Sequence, residues 1–123
     1  MVKAIQFHKP GKPSVLKLED IALGKPRKGQ VQLRHTAIGL NYIDTYQRSG
    51  LYPLPLPSGL GMEAAGVIEA IGAGVRHLKV GDRVAYGSGA PGAYSEARIM
   101  DAATVVKIPR GIPDEAAAAM MLK

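Results

Sequence analysis

Gly59-Leu60-Gly61-Met62-Glu63-Ala64-Ala65-Gly66-Val67-Ile68-Glu69-Ala70-Ile71-Gly72-Ala73-Gly74-Val75, followed closely by Gly81-Asp82-Arg83-Val84, is the stretch that decides how this chain is read. Residues 66–71 form a short β-prone run closed by the Gly72-Ala73-Gly74 turn. Gly81-Asp82 is a second tight turn, leading into Arg83-Val84-Ala85-Tyr86. Gly61 and Gly66 mark places where backbones approach closely, because glycine alone presents no Cβ. Glu63 is an acid among apolar neighbours and therefore needs a partner.

The same texture continues on both sides. Residues 2–7 are a β-prone run stopped by Pro10-Gly11, and residues 15–20 a second, stopped by Gly24 and Pro26. Residues 30–38 alternate polar and apolar over their first half, as a half-buried strand does. Residues 41–50 predict a short helix, with Asn41 as N-cap, Asp44 three residues on and Gly50 as the stop. Pro53, Pro55 and Pro57 then impose an extended, stiff loop. Residues 87–92 are a loop, and residues 93–100 and 104–108 are the last strands. Turns every 8–12 residues between short strands predict a mainly β barrel or sandwich.

The end of the chain reads differently. Pro113-Asp114-Glu115 opens a helix with acids in its first turn, and residues 116–122 are then apolar on every side. Such a helix must be covered by something. The expectation is a domain over residues 1–112, with residues 113–123 beginning a helix that leads to a further domain of a longer protein.

Composition narrows the classes. The 123 residues suffice for one domain, and 46% hydrophobic with 21% charged residues argues against disorder. The absence of cysteine removes disulfides, thiolate metal sites and a cysteine nucleophile. No apolar run approaches the ~20 residues of a membrane-spanning helix. Lys3, His8 and Lys9 interrupt the N-terminal segment, so no signal peptide is read there. A cytoplasmic location with no membrane partner is expected. All of the net charge of +6 lies in residues 1–35. Lys9, Lys12, Lys25 and Lys28 lie near turn residues with no aromatics interleaved for base stacking, so no nucleic-acid partner is expected.

Several familiar patterns fail on their surroundings. Gly87-Ser88-Gly89-Ala90-Pro91-Gly92 matches G-x-G-x-x-G, but Pro91 intervenes and a strand-like run follows where a phosphate-binding helix would have to start. His8, His35 and His77 show no metal-ligand spacing, and neither Ser58 nor Ser88 lies in G-x-S-x-G.

The opening stretch resembles the G-x-E-x-x-G-x-V…G-x-x-V…G-D-x-V core of the medium-chain dehydrogenase/reductase superfamily. Gly11-Lys12-Pro13-Ser14-Val15-Leu16 is similar to its G-x-P-x-V-L segment. Ala37-Ile38-Gly39-Leu40-Asn41-Tyr42-Ile43-Asp44-Thr45-Tyr46 and Arg48-Ser49-Gly50-Leu51-Tyr52-Pro53 resemble its zinc-independent quinone reductases of the zeta-crystallin type. Zinc-dependent members carry Cys at the position of Asn41 and His at that of Met62, so the resemblance implies no metal site and no zinc.

The resemblance further implies a GroES-like, partly open barrel with short helices, without the Rossmann domain that family members carry. It implies hydride transfer from NADPH to a quinone or similar electron-poor acceptor in a full-length, homodimeric parent, with the 123-residue chain inactive by itself. Tyr46 is the expected hydrogen-bond donor to the developing oxyanion, and Asn41 orients the nicotinamide or the acceptor. Asn41, Ile43, Asp44, Tyr46, Tyr52 and Lys123 are the expected cofactor-side residues, with Asp44 either ordering the segment or touching the cofactor. Met62 is expected to be apolar lining without a hydrogen bond. Two other readings stay open: another zinc-free reductase acting on enals or enoyl thioesters, and a stand-alone binding module.

Overall fold

Alternation in β3 (Gln30–Ile38) organises the molecule. Val31 and Leu33 are fully buried, whereas Gln32 and Arg34 point outward and bond Glu69 at 3.3 and 3.2 Å. In the computed structural model, which describes residues 1–120, β3 is joined by β1 (Val2–Phe7), β2 (Lys17–Ile21), β4 (Ser58–Gly59) and β5 (Ala64–Ile71). The remaining strands are β6 (Arg83–Tyr86), β7 (Ala97–Asp101) and β8 (Val106–Lys107), and the helices are α1 (Tyr42–Ser49) and α2 (Asp114–Met120).

The strands form two antiparallel sheets, ordered β2-β1-β4 and β7-β3-β5-β6-β8. Residues 94–96 stitch them together: Ile5 N–H donates to Tyr94 O at 2.7 Å, Glu96 N–H to Lys3 O at 2.9 Å and His35 N–H to Glu96 O at 2.9 Å. This is the mainly β, incompletely closed barrel that the resemblance implies. Its main core gathers Val31, Leu33, Ile68, Val84 and Tyr86, each worth roughly 1.5–3 kcal/mol of apolar burial.

Two glycines in the opening stretch do what their positions suggest. A Cβ on Gly66 would lie 2.3 Å from Arg34 O, so β5 can cross β3 this closely only with glycine there. Gly61 has φ +99° and faces the Tyr94 ring, whose nearest atom would be 2.5 Å from an added Cβ.

Some expectations change on contact with the structure. Residues 93–100 do not form one strand, because residues 94–96 bond to both sheets and only Ala97–Asp101 pairs with β3. The last strand shrinks to Val106–Lys107, since residues 102–104 coil into a 3₁₀ turn. A similar turn at Pro13–Val15 moves the start of β2 to Lys17. The closing helix is held at its start by Arg83, whose Nη2 donates to Ile112 O and Asp114 Oδ1, both at 2.6 Å. Ala117 and Ala118 then bury against Ala65 and Ala85, which covers one face of the helix and leaves Ala116, Ala119 and Met120 exposed. Among the described residues no helix is long and apolar enough to cross a membrane.

Candidate functional site

Helix α1 brings most of the expected site residues to one place. Asn41 precedes it in extended conformation (φ −137°, ψ 154°) and forms a capping box with Asp44. Asp44 Oδ2 accepts the Asn41 N–H at 3.1 Å, and Gly50 closes the helix in the left-handed conformation at φ 91°. Asn41 Nδ2 also donates to Glu63 Oε2 at 2.6 Å. That bond ties the helix start to the loop before β5 and fixes which way the amide faces, since a carboxylate oxygen can only receive. Asn41 is therefore one partner of Glu63, which is 1% exposed.

Asp44 is 2% exposed and also accepts the Tyr94 hydroxyl at 2.5 Å. Of the two roles expected for it, these bonds describe the ordering of the segment. Burial, and then the Asp44 carboxylate beside it, push the Tyr94 phenol well above its ordinary value. One turn along the buried face, Gln47 Nε2 points at Met62 Sδ, 3.8 Å away. Met62 thus has a weak N–H···S contact where none is expected, because the packing of α1 turns the buried Gln47 toward it.

The outer face of α1 is aromatic. Tyr46 and Tyr52 meet edge to face with ring centroids 5.5 Å apart, and both are exposed. Tyr52 N–H donates to Tyr46 O at 3.1 Å, which locks the residue after the helix against it. Among the described residues the Tyr46 hydroxyl meets no hydrogen-bond donor or acceptor. Ile43 is half-buried on the same helix, and Tyr42, at 82%, is the most exposed aromatic. Lys123 lies outside the described residues.

A groove of about 630 Å³ touches neither Tyr46 nor Tyr52 and includes the apolar side chains Ile5, Leu18, Ile38 and Leu40 in its lining. His35, one of its polar members, is already engaged. Nδ1–H donates to Ser95 O at 2.8 Å, since a carbonyl can only accept, and Nε2 then accepts the Tyr86 hydroxyl at 2.8 Å. Arg98 lies over the Tyr86 ring, 5.3 Å from its centroid, and donates to the Tyr86 oxygen at 3.3 Å. Burial above all, with Arg98 nearby, lowers the His35 pKa to about 4 against the Ser95 bond. The two His35 bonds link residues 60 and 51 apart in sequence, so no local pattern announces them. His77 likewise serves a backbone carbonyl, that of Ala102 at 3.2 Å. Among the described residues no three His, Cys, Asp or Glu side chains gather as a metal site would require.

The chain is 54% identical over its whole length to a quinone oxidoreductase of Pseudomonas aeruginosa, of which it covers 38%. It is 42% identical to a 2-haloacrylate reductase of a Burkholderia species, covering 39% of that protein. The solved structure of an Escherichia coli quinone oxidoreductase complexed with NADPH superposes with a TM-score of 0.93 at 48% identity, over 97% of this chain and 37% of that one. The chain therefore spans less than two fifths of the length of these relatives. The model of the alcohol dehydrogenase GroES-like domain matches residues 27–110, on the strands and the helix that carry Asn41, Tyr46 and Glu63, and the chain belongs to that family.

Proposed function

We propose that this domain forms the substrate-side wall of an NADPH-dependent quinone oxidoreductase, with α1 as the working face. The observation that carries the reading is the exposed Tyr46–Tyr52 pair standing beside an Asn41 already held from two sides. Flat aromatic edges with hydroxyls at their rims suit a planar electron-poor ring and a nicotinamide. Asn41 spends one N–H on Glu63 and keeps the other for an acceptor oxygen on the cofactor or the quinone. These residues fit NADPH: Asn41, Ile43, Tyr46 and Tyr52 would hold its nicotinamide end, Asp44 acts through the segment it orders, and Lys123 joins them on the resemblance alone. When bound, NADPH supplies the hydride.

The chain's own work is to bind, orient and donate. Tyr46, whose hydroxyl has no hydrogen-bond partner among the described residues, is available to donate its O–H to the oxygen on which negative charge develops. The Tyr52 ring restricts how that acceptor lies, and the buried Asp44 and Glu63 hold the helix start rigid. The reading includes no zinc, a homodimeric parent in the cytoplasm and no nucleic-acid partner. It also places the domain seam at residues 112/113, where Arg83 grips the chain on both sides.

The 2-haloacrylate reductase among the relatives favours a second reading, in which the acceptor is an electron-poor alkene. A chimera joining this chain to the remainder of the Pseudomonas aeruginosa relative, assayed with NADPH against quinone and enal panels, separates the two. Turnover of quinones supports the first reading, and turnover of enals alone replaces it with the second.

A further inference from the structure

The glycine loop at residues 87–92 plays no part in the reading above, yet it ends at the site. Gly92 N–H and Ala93 N–H both donate to Gly61 O, at 3.0 and 3.2 Å, and Tyr94 N–H donates to Leu60 O at 2.8 Å. These bonds strap the end of the loop to the segment carrying Met62 and Glu63. The Tyr94 ring occupies the space that a Cβ on Gly61 would need. Its hydroxyl reaches Asp44 Oδ2 at 2.5 Å, the same oxygen that accepts the Asn41 N–H. Asp44 is 2% exposed and, among the described residues, has no cation beside it; both donors meet Oδ2, and Oδ1 is buried without a hydrogen-bond partner, so these two bonds are what hold the carboxyl group in place.

We propose that Tyr94 is a positioning residue of the site: its hydroxyl fixes Asp44, Asp44 fixes the backbone of Asn41, and the start of α1 is thereby set for Tyr46. The glycine loop then serves to deliver this hydroxyl and not to cradle a phosphate. The proposal rests on the reading of α1 as the working face. Glu63 holds the Asn41 amide independently, so loss of the Tyr94 hydroxyl should loosen the Asn41 backbone and leave the sheets intact.

Amide hydrogen exchange on the 123-residue chain is the first arm of the test. Tyr94→Phe should speed exchange at Asn41 and Asp44 by about tenfold, with β3 and β5 unchanged. Asp44→Asn leaves the Tyr94 ring in place but replaces a carboxylate by a weaker acceptor, and should give the same local rise. The second arm uses the chimera, where Tyr94→Phe should lower kcat about tenfold with KM for NADPH within twofold. Adding Asp44→Asn should then cost little more, because the two act in series. Unchanged exchange at Asn41, a rise spread through β3 and β5, or a kcat within twofold of an active parent each overturns the proposal. A local rise in exchange together with an inactive parent chimera would instead remove the reductase reading and leave the link from Tyr94 to Asn41 standing.

Discussion

Acidification should destabilise this domain earlier than its carboxylates require, through His35. The ring is half-buried, its Nδ1–H is committed to Ser95 O, and Nε2 must stay unprotonated to accept the Tyr86 hydroxyl. A proton on Nε2 would reverse that bond, so that the hydroxyl would have to accept from the ring as well as from Arg98, and would put a positive charge near Arg98. The folded pKa is depressed from 6.5 to about 4. The unfolded chain therefore binds the proton first as pH falls. Stability is fully present above the unfolded value of 6.5 and is lost progressively down to about 4. At about 1.4 kcal/mol per unit, the loss between pH 7 and pH 5 comes to about 2 kcal/mol. Urea titrations of the chain at pH 7, 6 and 5 measure it. His35→Gln supplies the control, since it cannot take up the proton and subtracts the contributions of His8 and His77. The wild type should lose about 2 kcal/mol more than His35→Gln across that range. Parallel pH dependences for the two proteins would refute the argument and place the His35 pKa near its ordinary value.

Other outcomes follow from the same geometry. Gly61→Ala forces a side chain into φ +99° and against the Tyr94 ring, and should cost at least about 2 kcal/mol in urea denaturation. Asn41→Ala removes a cap and the donor to buried Glu63, so a loss of about 1–3 kcal/mol is expected, whereas Asn41→Asp should preserve the cap but place a second acid against Glu63. Elemental analysis of protein purified without added metal should find well under one zinc per chain, and chelation should leave its circular dichroism unchanged; stoichiometric zinc would contradict the reading of Asn41 and Met62.

Much of the fold was legible because its signals are local. The alternation of Val31 and Leu33, the Asn41–Asp44–Gly50 helix and the turn glycines each follow from neighbours in sequence, and Gly66 announced a close backbone approach, though not that its partner would be β3. What escaped is long-range. Tyr94 reaches Asp44 across 50 residues, His35 reaches Tyr86 across 51, and the stitch at residues 94–96 depends on the simultaneous presence of β1 and β3. At the site, the aromatic and amide residues were visible as types. The sequence carried no sign that Gln47 would face Met62, because that contact depends on how α1 is rolled against the loop before β5.

The central claim is that α1 presents a hydrogen-bond donor to a quinone being reduced, and one comparison tests it most directly. NADPH-dependent quinone reduction should be measured on the chimera with the parent sequence and with Tyr46→Phe, alongside the thermal stability of each. Tyr46 is 39% exposed, so removing its oxygen should leave the melting temperature essentially unchanged. The account predicts a fall in kcat/KM on the order of 10²-fold with that unchanged stability. A kcat/KM within twofold of an active parent would contradict it and assign the donor to a residue beyond this domain.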